Sequence, residues 1–305
     1  MTTKTMVQEL YSDIVADLQP YYDDAVLLPN PQLIQTQFNI AGTAGNTINV
    51  PLTNEYTNAG VVDEGNSILS GGGAAGNVSN EDDFDPTSVT LTMTKKGTGT
   101  NVTEESLEDG GLAVVRNAVL TRLSAGLAGA TDSAGFTEMK ASFSATDYGV
   151  AGANSDFTTN FVFSPEAMAY GSKREPSVTM FYDNDLDLHQ FRGSIRNGYK
   201  VMRPTFGARV TSEKVIGAQT AASLTNIAKA VAALRGSNAP SDIAGLYAAV
   251  IDSSLEYSIA SQLNSVTQSA IGDLSVIGNR ALLTGLIGQA AGVSFYRSNS
   301  LPDAS

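Results

Sequence analysis

Residues 88–130, SVTLTMTKKGTGTNVTEESLEDGGLAVVRNAVLTRLSAGLAGA, decide how the rest of the chain is interpreted. Apolar residues and threonines alternate from Val89 to Thr94, and this period of two predicts a strand. Thr103 is a good helix cap, and the acidic residues that follow it suit the positive end of a helix dipole. Apolar residues then recur at helical spacing, at Leu112, Val115, Val119, Leu123 and Leu127. The stretch therefore predicts a strand that leads into a long helix over residues 103–130.

Charge is unevenly distributed along the 305 residues, which carry a formal net charge of −13. Residues 1–94 contain one basic residue and twelve acidic ones. Residues 188–212 contain five basic residues and no acidic one, and the five are Arg192, Arg196, Lys200, Arg203 and Arg209. The negative charge either serves solubility or belongs to an acidic part that docks on a basic surface of the same chain or of a neighbour. The overall acidic balance argues against sequence-independent binding of nucleic acid.

The N-terminal residues 1–45 have the pattern of an arm. Apolar residues four apart predict a short amphipathic helix over residues 1–20, which Pro20 ends. Residues 21–45 are irregular and hold scattered apolar residues, among them Leu27, Ile34 and Phe38. We expect this extended segment to bury its apolar side on another surface.

Residues 46–102 form the next predicted region. Residues 47–53 alternate as a strand, and Pro51 favours an edge position. Residues 54–87 hold six glycines, seven acidic residues and no lysine or arginine. A loop of this length inside a compact domain usually has a function or is disordered. Because strands flank it, we predict a long two-stranded β-excursion followed by a return strand.

Residues 131–305 predict an α/β core. We expect an irregular layer over 131–160, a short helix over 164–171 and a polar connection over 186–197. Further on, residues 224–236 predict a helix, and the apolar run 244–251 predicts a strand buried on both faces. The alternation of strands and helices is typical of an α/β arrangement.

Few residues in the sequence form a pattern that is typical of a catalytic or metal-binding site. Glu81, Asp82, Asp83 and Asp85 could hold calcium, but their spacing is not that of an EF-hand. Asp183, Asp185, Asp187 and His189 alternate in a way that could ligate a metal, yet His189 is the only histidine and there is no cysteine. No nucleophile-elbow or dinucleotide fingerprint is present. We therefore expect no enzyme, no cofactor and no metal site.

The order of these parts resembles the major capsid proteins of tailed bacteriophages with the HK97-type fold. The shared order is an acidic arm, an edge strand, a long acidic β-excursion, a return strand, a long helix and an α/β body. The resemblance implies an α+β fold with an N-arm (1–45), an extended loop within 46–102, a spine helix (103–130) and peripheral and axial domains (131–305). Residues 161–210 are similar to the segment that closes such chains, but here they come before residues 224–295. The resemblance therefore implies a circularly permuted core.

That resemblance implies assembly as the function. Copies would form hexamers and pentamers of an icosahedral head around double-stranded DNA, without sequence-specific binding and without a membrane. A portal protein, and scaffold or cement proteins, would be further partners, and the protein would be found in the virion after assembly in the host cytoplasm. The expected inter-subunit contacts are Leu27, Ile34 and Phe38 of the arm and the acids at 81–85, with the five basic residues of 188–212 as their acceptor.

Two other functions fit part of the pattern. An encapsulin-like shell that holds cargo protein would share the fold. A cell-surface β-rich structural protein would suit the threonine-rich, cysteine-free composition, but the α/β second half and the lack of a signal peptide at Met1–Lys4 argue against it.

Overall fold

A computed structural model of the chain describes residues 3–52, 87–143, 148, 157–183, 188–213, 224–241, 245–267, 289–298 and 300–302. Its helices are α1 (Thr3–Ala25), α2 (Glu104–Gly110), α3 (Leu112–Ser142), α4 (Leu224–Gly236) and α5 (Ser253–Thr267). Its strands up to residue 201 are β1 (Thr36–Asn39), β2 (Thr47–Leu52), β3 (Thr87–Thr92), β4 (Thr94–Thr103), β5 (Phe157–Phe163), β6 (Met168–Asp183) and β7 (Leu188–Val201). The later strands are β8 (Gly207–Glu213), β9 (Tyr247–Ile251), β10 (Gln289–Ala290) and β11 (Val293–Arg297). The chain divides into two compact units, residues 47–91 and the remainder.

The larger unit contains a four-stranded sheet in the order β1-β6-β7-β4, with β1 parallel to β6 and the other pairs antiparallel. One face of this sheet packs against α3, as a Cβ added to Gly193 of β7 would lie 3.2 Å from Leu127 Cδ1. From Lys95 onwards, residues of β4 that point to the other face are exposed, whereas their neighbours that point towards α3 are buried or half-buried. We call the side that points away from α3 the open face.

The long helix differs from its prediction. Thr103 caps a short helix as expected, since its Oγ1 accepts a hydrogen bond of 3.2 Å from the Ser106 amide. The helix then breaks at Gly111, whose φ of 74° favours glycine. The long helix α3 begins at Leu112 and continues to Ser142, so both the range 103–130 and the irregular layer from 131 were wrong. The buried face after Leu127 is partly polar, and a search for apolar spacing does not detect it.

Helix α1 also exceeds its prediction, because it continues through Pro20 to Ala25. Leu18 and Tyr22 are buried on either side of the proline. Packing of the apolar stripe on α3 compensates for the backbone hydrogen bond that proline removes.

Two further expectations were wrong. The segment predicted as a helix over 164–171 is a turn that leads into β6, and the Ala167 amide donates to the Ser164 carbonyl at 2.9 Å. The segment predicted as a polar connection over 186–197 contains most of β7. The long β6–β7 pairing, which a local pattern cannot reveal, overrides the helix signal.

A five-stranded sheet in the order β10-β11-β9-β5-β8 forms the rest of the larger unit. Every residue of β9 is buried, which confirms the strand predicted in the apolar run, and α4 has the predicted bounds. Phe161 and Phe163 of β5 are fully buried in a core that also includes Phe136 of α3. The long helix therefore contributes to the cores beside both sheets.

The smaller unit, residues 47–91, holds β2 and the greater part of β3, which pair with each other. Thr90 Oγ1 donates a hydrogen bond of 2.9 Å to Asn49 Oδ1 across the pair. The β-excursion predicted for 54–87 lies almost wholly outside the described residues.

Candidate interaction surface

The apolar residues predicted for inter-subunit contact lie in different environments. Leu27 is partly buried against the main core, and Phe38 on β1 is half-buried. Ile34 is fully buried within its own chain. A residue without exposed surface cannot contact a neighbour, so the proposed interface does not include Ile34.

The acidic candidates Glu81, Asp82, Asp83 and Asp85 lie outside the described residues. Of the predicted metal-ligating set, Asp185 and Asp187 also lie outside them. His189 is buried, and its Nε2 atom is 3.8 Å from Glu104 Oε1. Within the described ranges, no group of three histidine or carboxylate side chains is arranged to hold a metal.

Four of the five basic candidates have partners in their own chain, among them Arg192, whose Nη2 donates a hydrogen bond of 2.6 Å to Gln190 Oε1. Lys200 Nζ lies 2.7 Å from Glu138 Oε1. The Arg203 guanidinium stacks on Phe206 at 5.0 Å from the ring centroid. Arg209 Nη1 donates a hydrogen bond of 3.4 Å to the backbone carbonyl of Lys140. Lys200 and Arg209 are thereby joined to α3, and Arg203 is joined to the segment that follows β7.

Two of the candidates, Arg192 and Arg196, lie on the open face of the four-stranded sheet. Strand pairing adds two cations there that the sequence analysis missed. Arg196 is paired directly with Arg174 on β6 and with Lys95 on β4. The four are distant in sequence, and only the register of three strands reveals that they share one face.

A shallow depression of about 480 Å³ lies on the same face. Gly97 and Gly99 on β4 contribute no side chains, which leaves space beside Arg192. The Arg192 guanidinium stacks on the exposed ring of Phe181 at 4.9 Å from its centroid. We define the basic groove as Lys95, Arg174, Phe181, Arg192 and Arg196.

The opposite side of the sheet holds a buried polar network that the sequence analysis did not find. The carboxylate of Asp132 on α3 accepts hydrogen bonds of 3.0 Å from the backbone amides of Leu27 and Leu28. Burial raises the pKa of Asp132 to about 6, although these hydrogen bonds and the charge of Lys96 oppose the shift. Asp132 thus joins the segment after α1 to the long helix. Its signal in the sequence is an acid four residues from both Ala128 and Phe136, on a helical apolar face.

Lys96 and Asn197 extend this network across β4 and β7. Lys96 Nζ donates a hydrogen bond of 2.5 Å to Asn197 Oδ1, and Asn197 Nδ2 donates one of 3.0 Å to Thr131 Oγ1. Burial lowers the pKa of Lys96 to about 8, with Asp132 acting in the opposite direction. Tyr22 of α1 donates to the same threonine hydroxyl at 3.2 Å. The network therefore joins α1, α3 and the sheet, and it satisfies polar groups that would be costly to bury unpaired.

In the described part of the chain, no helix has the length and apolar character needed to cross a membrane. No protein-family model matches the sequence, and no curated protein matches it.

Solved structures do show a similar fold. A chain of the capsid of bacteriophage JBD30, decorated with minor capsid protein trimers, matches at a TM-score of 0.50 and 11% identity, over 91% of this chain and 91% of that chain. A chain of the JBD30 procapsid has a TM-score of 0.47 and 15% identity, over 96% of this chain and 99% of that chain. A chain of a virus-like particle from Pyrococcus furiosus has a TM-score of 0.44 and 9% identity, over 66% of this chain and 98% of that chain. The first comparison carries the fold assignment, and the chain has the HK97-like capsid fold.

Proposed function

We propose that the chain is the major capsid protein of a tailed bacteriophage, which self-assembles into the hexamers and pentamers of an icosahedral head. The observation that carries the proposal is the similarity in fold to the JBD30 capsid chain, which spans 91% of both chains. A fold alone does not specify a function, so the surfaces of this chain must also suit assembly.

The larger unit suits a shell because two hydrophobic cores and a buried polar network hold its elements together. Helix α1 lies along α3, and the buried polar network joins both helices to the sheet. A unit held together in this way can make the same contacts in every copy. Many modest contacts repeated in a closed shell become collectively strong, so no single interface has to be large.

The charge of the chain suits a container for nucleic acid. A net charge of −13 keeps packaged double-stranded DNA from adhering to the wall, because like charges repel. DNA is therefore enclosed without sequence-specific contacts. A portal protein and scaffold or cement proteins complete the set of partners, and the shell forms in the host cytoplasm and remains in the virion.

An encapsulin-like compartment is the alternative with the same fold, and the contents of the particles distinguish the two. The test is to express the full chain in bacteria, isolate fast-sedimenting particles on a sucrose gradient and identify their contents. The proposal predicts closed particles with no stoichiometric cargo protein. Shells that contain one co-purifying protein in fixed ratio would support the compartment, and a non-sedimenting chain would favour a cell-surface or other role.

A deletion of residues 1–45 is not a clean test of assembly by an exchanged arm. Leu28, Leu33 and Ile34 are fully buried in the main core of their own chain. Loss of these side chains would destabilise the fold itself. Point substitutions on exposed surfaces are therefore the better probes of assembly.

A further inference from the structure

A lysine amine and an asparagine amide are held in contact inside the chain. Lys96 on β4 is the diagonal neighbour of Asn197 on β7, since Asn197 pairs directly with Thr94. Lys96 Nζ lies 2.5 Å from Asn197 Oδ1. Because a carbonyl bond is about 1.2 Å long, Nζ is less than about 4 Å from the amide carbon Cγ. Reacting atoms that are poised for attack are roughly 3–3.5 Å apart, so this pair needs little movement to react.

The surroundings fix the amide and limit the access of water. Asn197 has no exposed surface, and its Nδ2 donates a hydrogen bond of 3.0 Å to Thr131 Oγ1 of α3. Lys96 is half-buried, and its Nζ lies 5.7 Å from the centroid of the buried Tyr199 ring. Both reacting groups are therefore ordered before any reaction, which removes much of the entropic part of the barrier.

Asp132 controls the charge of the amine. In the described part of the chain, it is the carboxylate whose charge acts on the pKa of Lys96. Burial lowers the pKa of Lys96 to about 8 and raises the pKa of Asp132 to about 6. Transfer of one proton from the ammonium to the carboxylate therefore removes two buried charges. It leaves a neutral amine, which is nucleophilic, and a carboxylic acid, which can protonate a leaving group.

We propose that Lys96 and Asn197 of the same chain join in an isopeptide bond. The neutral Nζ attacks Asn197 Cγ, a bond forms between these atoms, and the bond between Cγ and Nδ2 breaks. The Asp132 carboxyl protonates the leaving nitrogen, and its carboxylate takes the excess proton of Nζ. One amide and one ammonia result, and no oxidant or reductant is needed because one amine replaces another. The product ties β4 to β7 covalently on the side of α3.

Mass spectrometry of the purified full chain tests this bond. The proposal predicts an intact mass that is lower by one ammonia than the mass of the sequence. A protease digest should yield a branched peptide in which Lys96 and Asn197 are joined. Lys96→Arg, which keeps the positive charge, should retain its ammonia. On a denaturing gel the unaltered chain should run as a single chain, because the bond does not connect copies.

Matched variants separate the two reacting residues from their neighbours. Lys95 of the basic groove and Asn101 are exposed on β4 and point to the open face. Lys95→Arg and Asn101→Ala should therefore still lose ammonia. Acid–base catalysis by a positioned side chain contributes about 100-fold or more, so Asp132→Asn should slow bond formation by at least that factor after cell-free synthesis. Thermal melting shows whether this variant folds, and a folded Asp132→Asn chain that reacts at the unaltered rate would overturn the mechanism.

Three other results would overturn the bond itself. The first is a folded, unaltered chain with the full mass of its sequence. The second is a loss of ammonia that persists in Lys96→Arg, which would indicate a cyclic imide at Asn197-Gly198 instead. The third is a ladder of covalent oligomers on the denaturing gel, which would mean that Lys96 reacts between copies. Because the bond lies within one chain, it is expected whether or not the chain assembles, and its failure is distinct from failure of the proposed function.

Discussion

Asp132 Oδ1 accepts a hydrogen bond of 3.0 Å from the backbone amide of Leu28, so a carboxylate of the long helix fixes the chain where it leaves α1. Asp132→Ala would leave the buried amide of Leu28 and the part-buried amide of Leu27 without acceptors. Each unsatisfied group costs about 1–3 kcal/mol, and we expect a loss of about 2–4 kcal/mol in the free energy of unfolding. Urea denaturation measures this loss when the variant and the unaltered chain are compared in the same assembly state. Asp132→Asn, which keeps one acceptor oxygen, should lose less, and equal stability of Asp132→Ala and the unaltered chain would contradict the account.

The same carboxyl predicts a pH dependence. Burial raises the pKa of Asp132 from 3.8 to about 6, so the folded state binds this proton more tightly than the unfolded state does. Its contribution to stability is complete below the ordinary pKa and is lost as the pH rises through about 6. The full contribution is on the order of 3 kcal/mol. Because Asp132→Asn cannot titrate, the unaltered chain should gain stability relative to it between pH 7 and pH 4. If the difference in melting temperature between the two chains stays constant from pH 7 to pH 4, the prediction is wrong.

Gly198 and Gly129 should respond to alanine in opposite ways. A Cβ at Gly198 would lie 2.1 Å from the backbone oxygen of Thr92, and a backbone atom cannot easily move aside. Gly198→Ala should therefore cost at least about 1–3 kcal/mol. A Cβ at Gly129, within α3, would meet nothing within 4 Å, and Gly129→Ala should stabilise by up to about 1 kcal/mol. Thermal melting of the pair provides the comparison, and a neutral Gly198→Ala would show that β7 and the segment at Thr92 are farther apart.

Ile14 and Val15 test whether α1 packs within its own chain. Ile14 is fully buried, whereas Val15 is 49% exposed. Ile14→Ala should cost about 2–5 kcal/mol and speed hydrogen exchange throughout α1, while Val15→Ala should cost well under 1 kcal/mol. If Ile14→Ala weakens only assembly and leaves the stability of the isolated chain intact, α1 packs on a neighbour instead.

The sequence predicted those elements whose signals are local. Thr103 caps a helix because its hydroxyl accepts a hydrogen bond from the amide of Ser106, only three residues later. Helix α4 and the buried strand β9 follow from simple apolar spacing. The end of α3 and the strand β7 were missed because their stability comes from distant partners. Asp132 lies on a buried helix face, where it accepts hydrogen bonds from backbone amides that are distant in sequence. Strand β7 is a polar segment that pairs with β4 on one side and β6 on the other.

The interaction surface shows the same limit. Residues 188–212 were identified as basic, but the structure divides them, because Lys200 is paired with Glu138 of α3, whereas Arg192 and Arg196 lie on the open face. Lys95 and Arg174 join them through strand register, which one sequence does not show. The extended loop and the permutation of the core remain predictions.

Self-assembly is the central claim, and sedimentation velocity of the purified full chain over a wide concentration range, with negative-stain electron microscopy of the fast fraction, tests it most directly. The account predicts a fast-sedimenting species that appears cooperatively with concentration and consists of closed shells or of five- and six-fold capsomers. A single slow boundary with the mass of one chain, at every concentration the protein tolerates, would contradict it.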